Sequence, residues 1–153
     1  MTLSPAPCFV WSSEWIAFPS VTSTVAYRIG LGQGLAAKIP TVLGIYFRYD
    51  TALSDTNWQY CVDNAGTETC GATATAPAAS TFQDFFISSS VVGTVSFQIG
   101  AGTVYTICAS GCTTTGTVPT STLTPIAGVV TLTSSTATID VDAFFYQATG
   151  ISR

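Results

Sequence analysis

Thr94-Val95-Ser96-Phe97-Gln98-Ile99, a bend at Gly100-Ala101-Gly102 and a return through Val104-Tyr105-Thr106-Ile107-Cys108 read together as a β-hairpin. In the first run Val95, Phe97 and Ile99 alternate with Thr94, Ser96 and Gln98. That is the two-residue period of a strand with one face in a core and the other in solvent. Working outward, the same grammar recurs. Upstream, Thr41–Asp50 carries Ile45, Phe47 and Tyr49 on one face and Tyr46 and Arg48 on the other, and Val25–Leu31 and Glu14–Phe18 read as shorter strands. Trp58–Val62 and Glu68–Thr73 flank the turn Asp63-Asn64-Ala65-Gly66, and Gln83–Ser89 follows the loop 74–79. Downstream, Ile126–Thr133 and Ala137–Gln147 complete the series, the last placing Ile139, Val141, Ala143 and Phe145 against Asp140, Asp142, Phe144 and Tyr146. No 3.6-residue stripe interrupts this, and Thr, Val, Phe and Tyr dominate over helix formers. About ten short strands joined by tight turns make an all-β, antiparallel two-sheet jelly roll or β-sandwich.

The chain has 153 residues, the length of one domain. Residues 1–13 are expected to form an N-terminal arm and residues 14–153 a single jelly-roll domain. Charged residues make up only 8% of the chain and hydrophobic ones 47%, for a mean hydropathy of +0.46. Ordinary soluble domains carry about 25% charge, so hydroxyls and amides must build the polar surface here. A charge-poor surface is easily covered by neighbours, which favours life in an assembly. Arg28, Lys38, Arg48 and Arg153 are the only cations, too few to grip a phosphate backbone, so nucleic acid is not an expected partner. The stretch between Asp84 and Asp140 lacks charge, but Gly, Pro and Thr/Ser clusters break it before the roughly 18 apolar residues of a spanning helix accumulate. No membrane role is expected. Met1–Pro7 has neither a basic n-region nor an apolar h-region and does not read as a secretory signal.

Five cysteines stand at 8, 61, 70, 108 and 112. Cys61 and Cys70 flank a turn and can face each other across a hairpin; Cys108 and Cys112 bracket Ala109-Ser110-Gly111. Both pairs are disulfide candidates, with Cys8 free or paired between chains. Zinc would want further ligands, and the chain contains no histidine. No metal or cofactor is expected. Disulfides without a secretion signal fit a protein that matures outside the cytoplasm that made it.

The ordered series Val25-Ala26-Tyr27-Arg28-Ile29-Gly30-Leu31-Gly32, Gly44-Ile45-Tyr46-Phe47-Arg48-Tyr49, Asn57-Trp58, Thr94-Val95-Ser96-Phe97-Gln98-Ile99-Gly100 and Ile139-Asp140-Val141-Asp142-Ala143-Phe144-Phe145-Tyr146 resembles the concanavalin-like jelly-roll domains of tailed-phage virion proteins. The departures are a shortened N-terminal part before Trp15 and a Cys-bearing, Thr-rich insert around 108–124. A curtailed first half leaves a sheet edge open for a partner strand. The resemblance implies a virion protein on the outer surface of a capsid or fibre. The leading expectation is a capsid decoration (cement) protein, a homotrimer bound between subunits of the major capsid protein. The alternative is a head- or tail-fibre module that binds a host receptor or glycan.

Catalysis is not expected. A glycosidase needs two carboxylates about 5–10 Å apart. Asp140 and Asp142, two apart on a strand with Cβ atoms about 6–7 Å apart, are the nearest pair, read as structural or as a calcium site before a catalytic one. Serine and cysteine nucleophiles lack a histidine base. Gly30-Leu31-Gly32-Gln33-Gly34 precedes no helix and no Lys-Ser/Thr, so it reads as a strand bend rather than a phosphate loop. Trp58, Trp15 and Tyr49 are the aromatics expected at a glycan or partner interface, Trp58 first because it follows the polar loop Ser54-Asp55-Thr56-Asn57.

Overall fold

Alternation along the hairpin at 94–108 is realised as expected: Val95, Phe97 and Ile107 lie inside with almost no exposure, and Ser96 and Gln98 face outward. The computed structural model describes residues 10–33, 43–91, 93–119, 123–134 and 136–149. Its strands are β1 (Val10–Pro19), β2 (Val25–Gly32), β3 (Leu43–Asp50), β4 (Gln59–Asn64), β5 (Thr67–Ala72), β6 (Gln83–Val91), β7 (Thr94–Ile99), β8 (Tyr105–Cys108), β9 (Thr114–Thr115), β10 (Thr124–Thr131) and β11 (Ile139–Thr149). One 3₁₀ turn, Thr51–Leu53, follows β3. Two sheets form, in the orders β11-β1-β6-β7-β8-β9 and β10-β2-β3-β4-β5. All pairings are antiparallel except the short parallel contact of β8 with β9. The chain is a two-sheet β-sandwich of the jelly-roll kind.

Inward faces of the two sheets interdigitate around aromatic rings. Phe47 of the five-stranded sheet meets Phe85 (5.2 Å) and Phe97 (5.5 Å, edge-on) of the six-stranded one. Trp58 meets Phe85 edge-on at 4.9 Å. Ring pairs in these arrangements add about 1 kcal/mol each to what area burial supplies. Three of the polar tips are satisfied at the rim. Trp58 Nε1 donates to Gln83 Oε1 (3.0 Å), the Tyr49 hydroxyl to Thr22 O (2.8 Å) and the Tyr27 hydroxyl to Val21 O (3.0 Å).

Three sequence expectations are corrected. β1 begins at Val10, so residues 10–13 belong to the sheet and not to an arm; residues 1–9 lie outside the described residues. The bend expected in Gly30–Gly34 is confined, among the described residues, to Gln33, because β2 runs through Gly32. Gly30 is there because it faces Tyr46 across the ladder, where a Cβ would come within 2.7 Å of the Tyr46 Cα. In β11, Asp142 is an extra residue: Ala143 pairs with Ile16 and Val141 with the next residue, Ala17. Such a bulge reverses the faces on one side of it. Phe144 therefore takes the inward-facing side, its ring tilted against Trp15 (centroids 4.3 Å apart), while Phe145 is left on the outer face.

Candidate functional site

Half of the chain's charged residues converge on the outer face of the five-stranded sheet. Alternation puts Arg28 on β2, Tyr46, Arg48 and Asp50 on β3, Asp63 on β4 and Glu68 on β5 on that side, and the 3₁₀ turn carries the chain on to Asp55. Arg48 grips Asp55 with two prongs, Nε to Oδ2 (3.0 Å) and Nη2 to Oδ1 (3.2 Å), and its Nη1 pairs with Glu68. The Tyr46 hydroxyl donates to the other oxygen of Glu68 (2.6 Å). Arg28 reaches Asp50 (3.4 Å), donates to Tyr27 O (3.0 Å) and lies 5.9 Å over the Tyr46 ring. Asp63 Oδ1 accepts the Gly66 N–H and so closes the turn between β4 and β5 (3.0 Å).

Solvent scarcely reaches this knot, with Tyr46 0%, Arg28 2% and Asp63 3% exposed. Its electrostatics follow. Burial and the Glu68 carboxylate push the Tyr46 phenol far above its usual range, so it stays a neutral donor. Burial raises Asp63, only partly offset by the Gly66 N–H. Burial works against the Arg48 charge, but the Asp55 hydrogen bond and the Glu68 charge outweigh it and hold that guanidinium above its ordinary value. Asp63 and Glu68 sit opposite each other across the β4–β5 hairpin. Each already has a structural duty. The cluster is built to hold charge in place.

Sequence alone did not join Arg48 and Tyr46 to Glu68, because β3 and β5 are brought together only through β4 between them. The residues it did flag are placed as follows. Trp58 (0%), Trp15 (3%) and Tyr49 (7%) are core rings between the sheets, not a platform for a ligand. Their size makes them the best fillers of the inter-sheet space, and that burial outweighs the pull of a polar preceding loop. Cys61 and Cys70 are directly opposed on β4 and β5, Cα atoms 4.2 Å apart, and form a disulfide on the outer face beside Tyr46 and Ile126. Cys108 and Cys112 form a second, closing the loop into β9. The Glu68 carboxylate lies within 4.8 Å of both sulfurs of the first bridge. With the sulfurs joined to each other, that trio offers one carboxylate, already held by Arg48 and Tyr46. Asp140 and Asp142 are exposed on β11, and the bulge between them breaks the common face expected of them. Cys8 lies outside the described residues.

A different feature lies at the side of the sandwich. β10 and β11 are the edge strands of their two sheets, and β1·β11 and β2·β10 are their only ladders among the described residues. Between them Val141 (40%) and Phe144 (37%), side chains on the inward side of β11, remain exposed. Among the described residues no further strand pairs with either edge, and an apolar seam runs between them.

No family model matches this chain, and no curated protein does. Among solved structures it is similar to CG-16, a homodimeric agglutinin from chicken liver, with 11% identity, TM-score 0.49, and 96% of this chain and 98% of that one covered. It is also similar to a family 7 alginate lyase in complex with its substrate, with 10% identity and TM-score 0.51, covering 100% of this chain and 66% of the lyase. The second likeness places the chain in the concanavalin-like sandwich fold. At such identity a fold is shared by binding proteins and enzymes alike.

Proposed function

We propose that this chain is a non-catalytic structural protein of a tailed-phage particle, a decoration protein seated on the outside of the head between capsid subunits. The open seam between β10 and β11 carries the reading. Edge strands present unpaired N–H and C=O groups, and monomers normally guard them with charge, bulges or a covering loop. Here Asp140, Asp142 and the bulge guard the start of β11, while no described residue pairs with the free edge of Ala143–Thr149 beside Val141 and Phe144. A neighbouring copy or capsid subunit that adds a strand there satisfies the backbone and covers the apolar lip together. A charge-poor surface adds little repulsion to such contacts, and closed trimers repeat one contact three times. The buried acids and the phenol that stays protonated in the Arg48 cluster support a structural rather than an acid–base role.

Light scattering of the purified chain, combined with co-sedimentation on shells of the capsid protein encoded with it, tests this. Trimers that bind shells are expected. The pair Val141→Asp and Phe144→Asp should release monomers with an unchanged β-type circular dichroism spectrum. A wild-type chain that stays monomeric at high concentration and ignores the shells overturns the reading.

A further inference from the structure

The outer face of the six-stranded sheet carries a hollow of about 500 Å³ lined by Ser12, Glu14, Phe86, Phe145 and Gln147 among others. Its pattern comes from the ladder. Phe145 on β11, Glu14 on β1 and Phe86 on β6 stand in one cross-strand row. Gln147, Ser12 and Ser88 form the next row on the same face. Strand spacing puts the two phenyl positions about 10 Å apart with the carboxylate between them, and the hydroxyl and amide row about 7 Å along the strands. Phe145 is 58% exposed on this face, because the Asp142 bulge reverses the alternation ahead of it. Among the described residues the Glu14 carboxylate has no ion-pair or hydrogen-bond partner.

We infer that this hollow is a binding site for a neutral oligosaccharide. Aromatic rings take up the C–H faces of a pyranose, while a carboxylate, an amide and a serine hydroxyl supply acceptors and donors for its hydroxyls. A hollow of this volume is within the usual size of small-ligand sites. The sign of the charge chooses the kind of sugar. Among the described residues Glu14 is the only charged group lining the hollow, and the described cations, Arg28 and Arg48, are locked on the opposite sheet. Uronic, sialic and sulfated sugars would meet the Glu14 charge in a cleft where no described residue supplies a counter-charge. The site is independent of the assembly reading: a monomer would carry it whole, and a trimer without it would still bind shells.

Saturation-transfer NMR and calorimetry on the full chain test it, using a panel of neutral gluco-, galacto- and manno-oligosaccharides of three to six units with matched uronate oligomers. At least one neutral series should bind with millimolar affinity or better, and the uronates should not. Phe145→Ala and Gln147→Ala, both at exposed positions, should each weaken binding tenfold or more without shifting the unfolding temperature. Phe86→Ala should weaken it similarly if it remains folded. Failure of every neutral sugar to bind overturns the inference. So do preference for uronates, and binding that survives Phe145→Ala and Gln147→Ala unchanged.

Discussion

Arg48 and Asp55 meet through two parallel hydrogen bonds, 3.0 and 3.2 Å long, across the 3₁₀ turn that follows β3. Asp55 Oδ2 also accepts the Asp50 N–H (2.9 Å), so one carboxylate fixes both a guanidinium and the strand end. The remaining prong of Arg48 pins Glu68 of the edge strand β5. One cation thus fastens the turn and the last hairpin to the middle of the sheet.

Replacing Arg48 with Leu leaves the Asp55 and Glu68 carboxylates without their shared cation in a largely buried site. Breaking one partner out of a buried ion pair costs about 3–5 kcal/mol. The exposed side of Glu68 lets water relieve part of that, so we expect a loss of about 3 kcal/mol. Urea unfolding should show a lower midpoint with the same slope, and an unaltered midpoint would mean that the network contributes nothing.

Tyr46→Phe removes one hydrogen bond to Glu68 and nothing of the ring packing, for about 1 kcal/mol. The pH behaviour is more telling. Because the folded phenol is raised well above the ordinary tyrosine value of about 10, the folded state holds the proton that the unfolded state releases. That contribution is complete below about pH 10 and is lost as pH rises beyond it. Alkaline unfolding of the wild type should therefore be steeper than that of Tyr46→Phe. Phenolate absorbance from Tyr46 should appear only together with loss of the β-type spectrum.

For Asp63 the same sign applies in an acidic window. Burial raises its folded value, so the folded state binds more protons than the unfolded one once pH passes the ordinary aspartate value of about 4. Stability contributed by the protonated form is lost as pH climbs through the folded value. Asp63→Asn keeps an oxygen for the Gly66 N–H and removes the charge. It should be more stable than wild type at pH 7 and flatten the decline in denaturation midpoint between about pH 4 and 7.

Trp58→Ala is expected to act on the fold. The indole is fully buried against Phe85, Tyr49 and Tyr27 and its N–H is held by Gln83. Truncating a core aromatic costs about 3–5 kcal/mol, a large share of a small domain's stability. Thermal melts should show a drop of ten degrees or more. A variant that melts like wild type would place the indole outside the core.

Local pattern told most of the fold. Alternation in 94–99 and in 45–49 assigned inward and outward faces correctly, and the turn at 63–66 located the hairpin that the Cys61–Cys70 disulfide ties. The bulge in β11 was not legible, because an inserted residue announces itself only through the strand it pairs with. Its consequence, Phe145 on the outer face of the sheet and Phe144 on the inward-facing side, is what shapes the hollow on the outer face.

The amino-acid order by itself determined that this chain is a charge-poor double sheet without the histidine or the paired metal knuckles of familiar active sites. Those properties are local, set by side-chain period and composition. Only the tertiary structure decided that Trp15, Tyr49 and Trp58 are core, that Arg28, Arg48, Asp55 and Glu68 are one network, and that Glu14 stands between two phenyl rings. Each of these depends on which strands become neighbours, and strand pairing across tens of residues is a global balance of burial and backbone satisfaction that no single segment encodes.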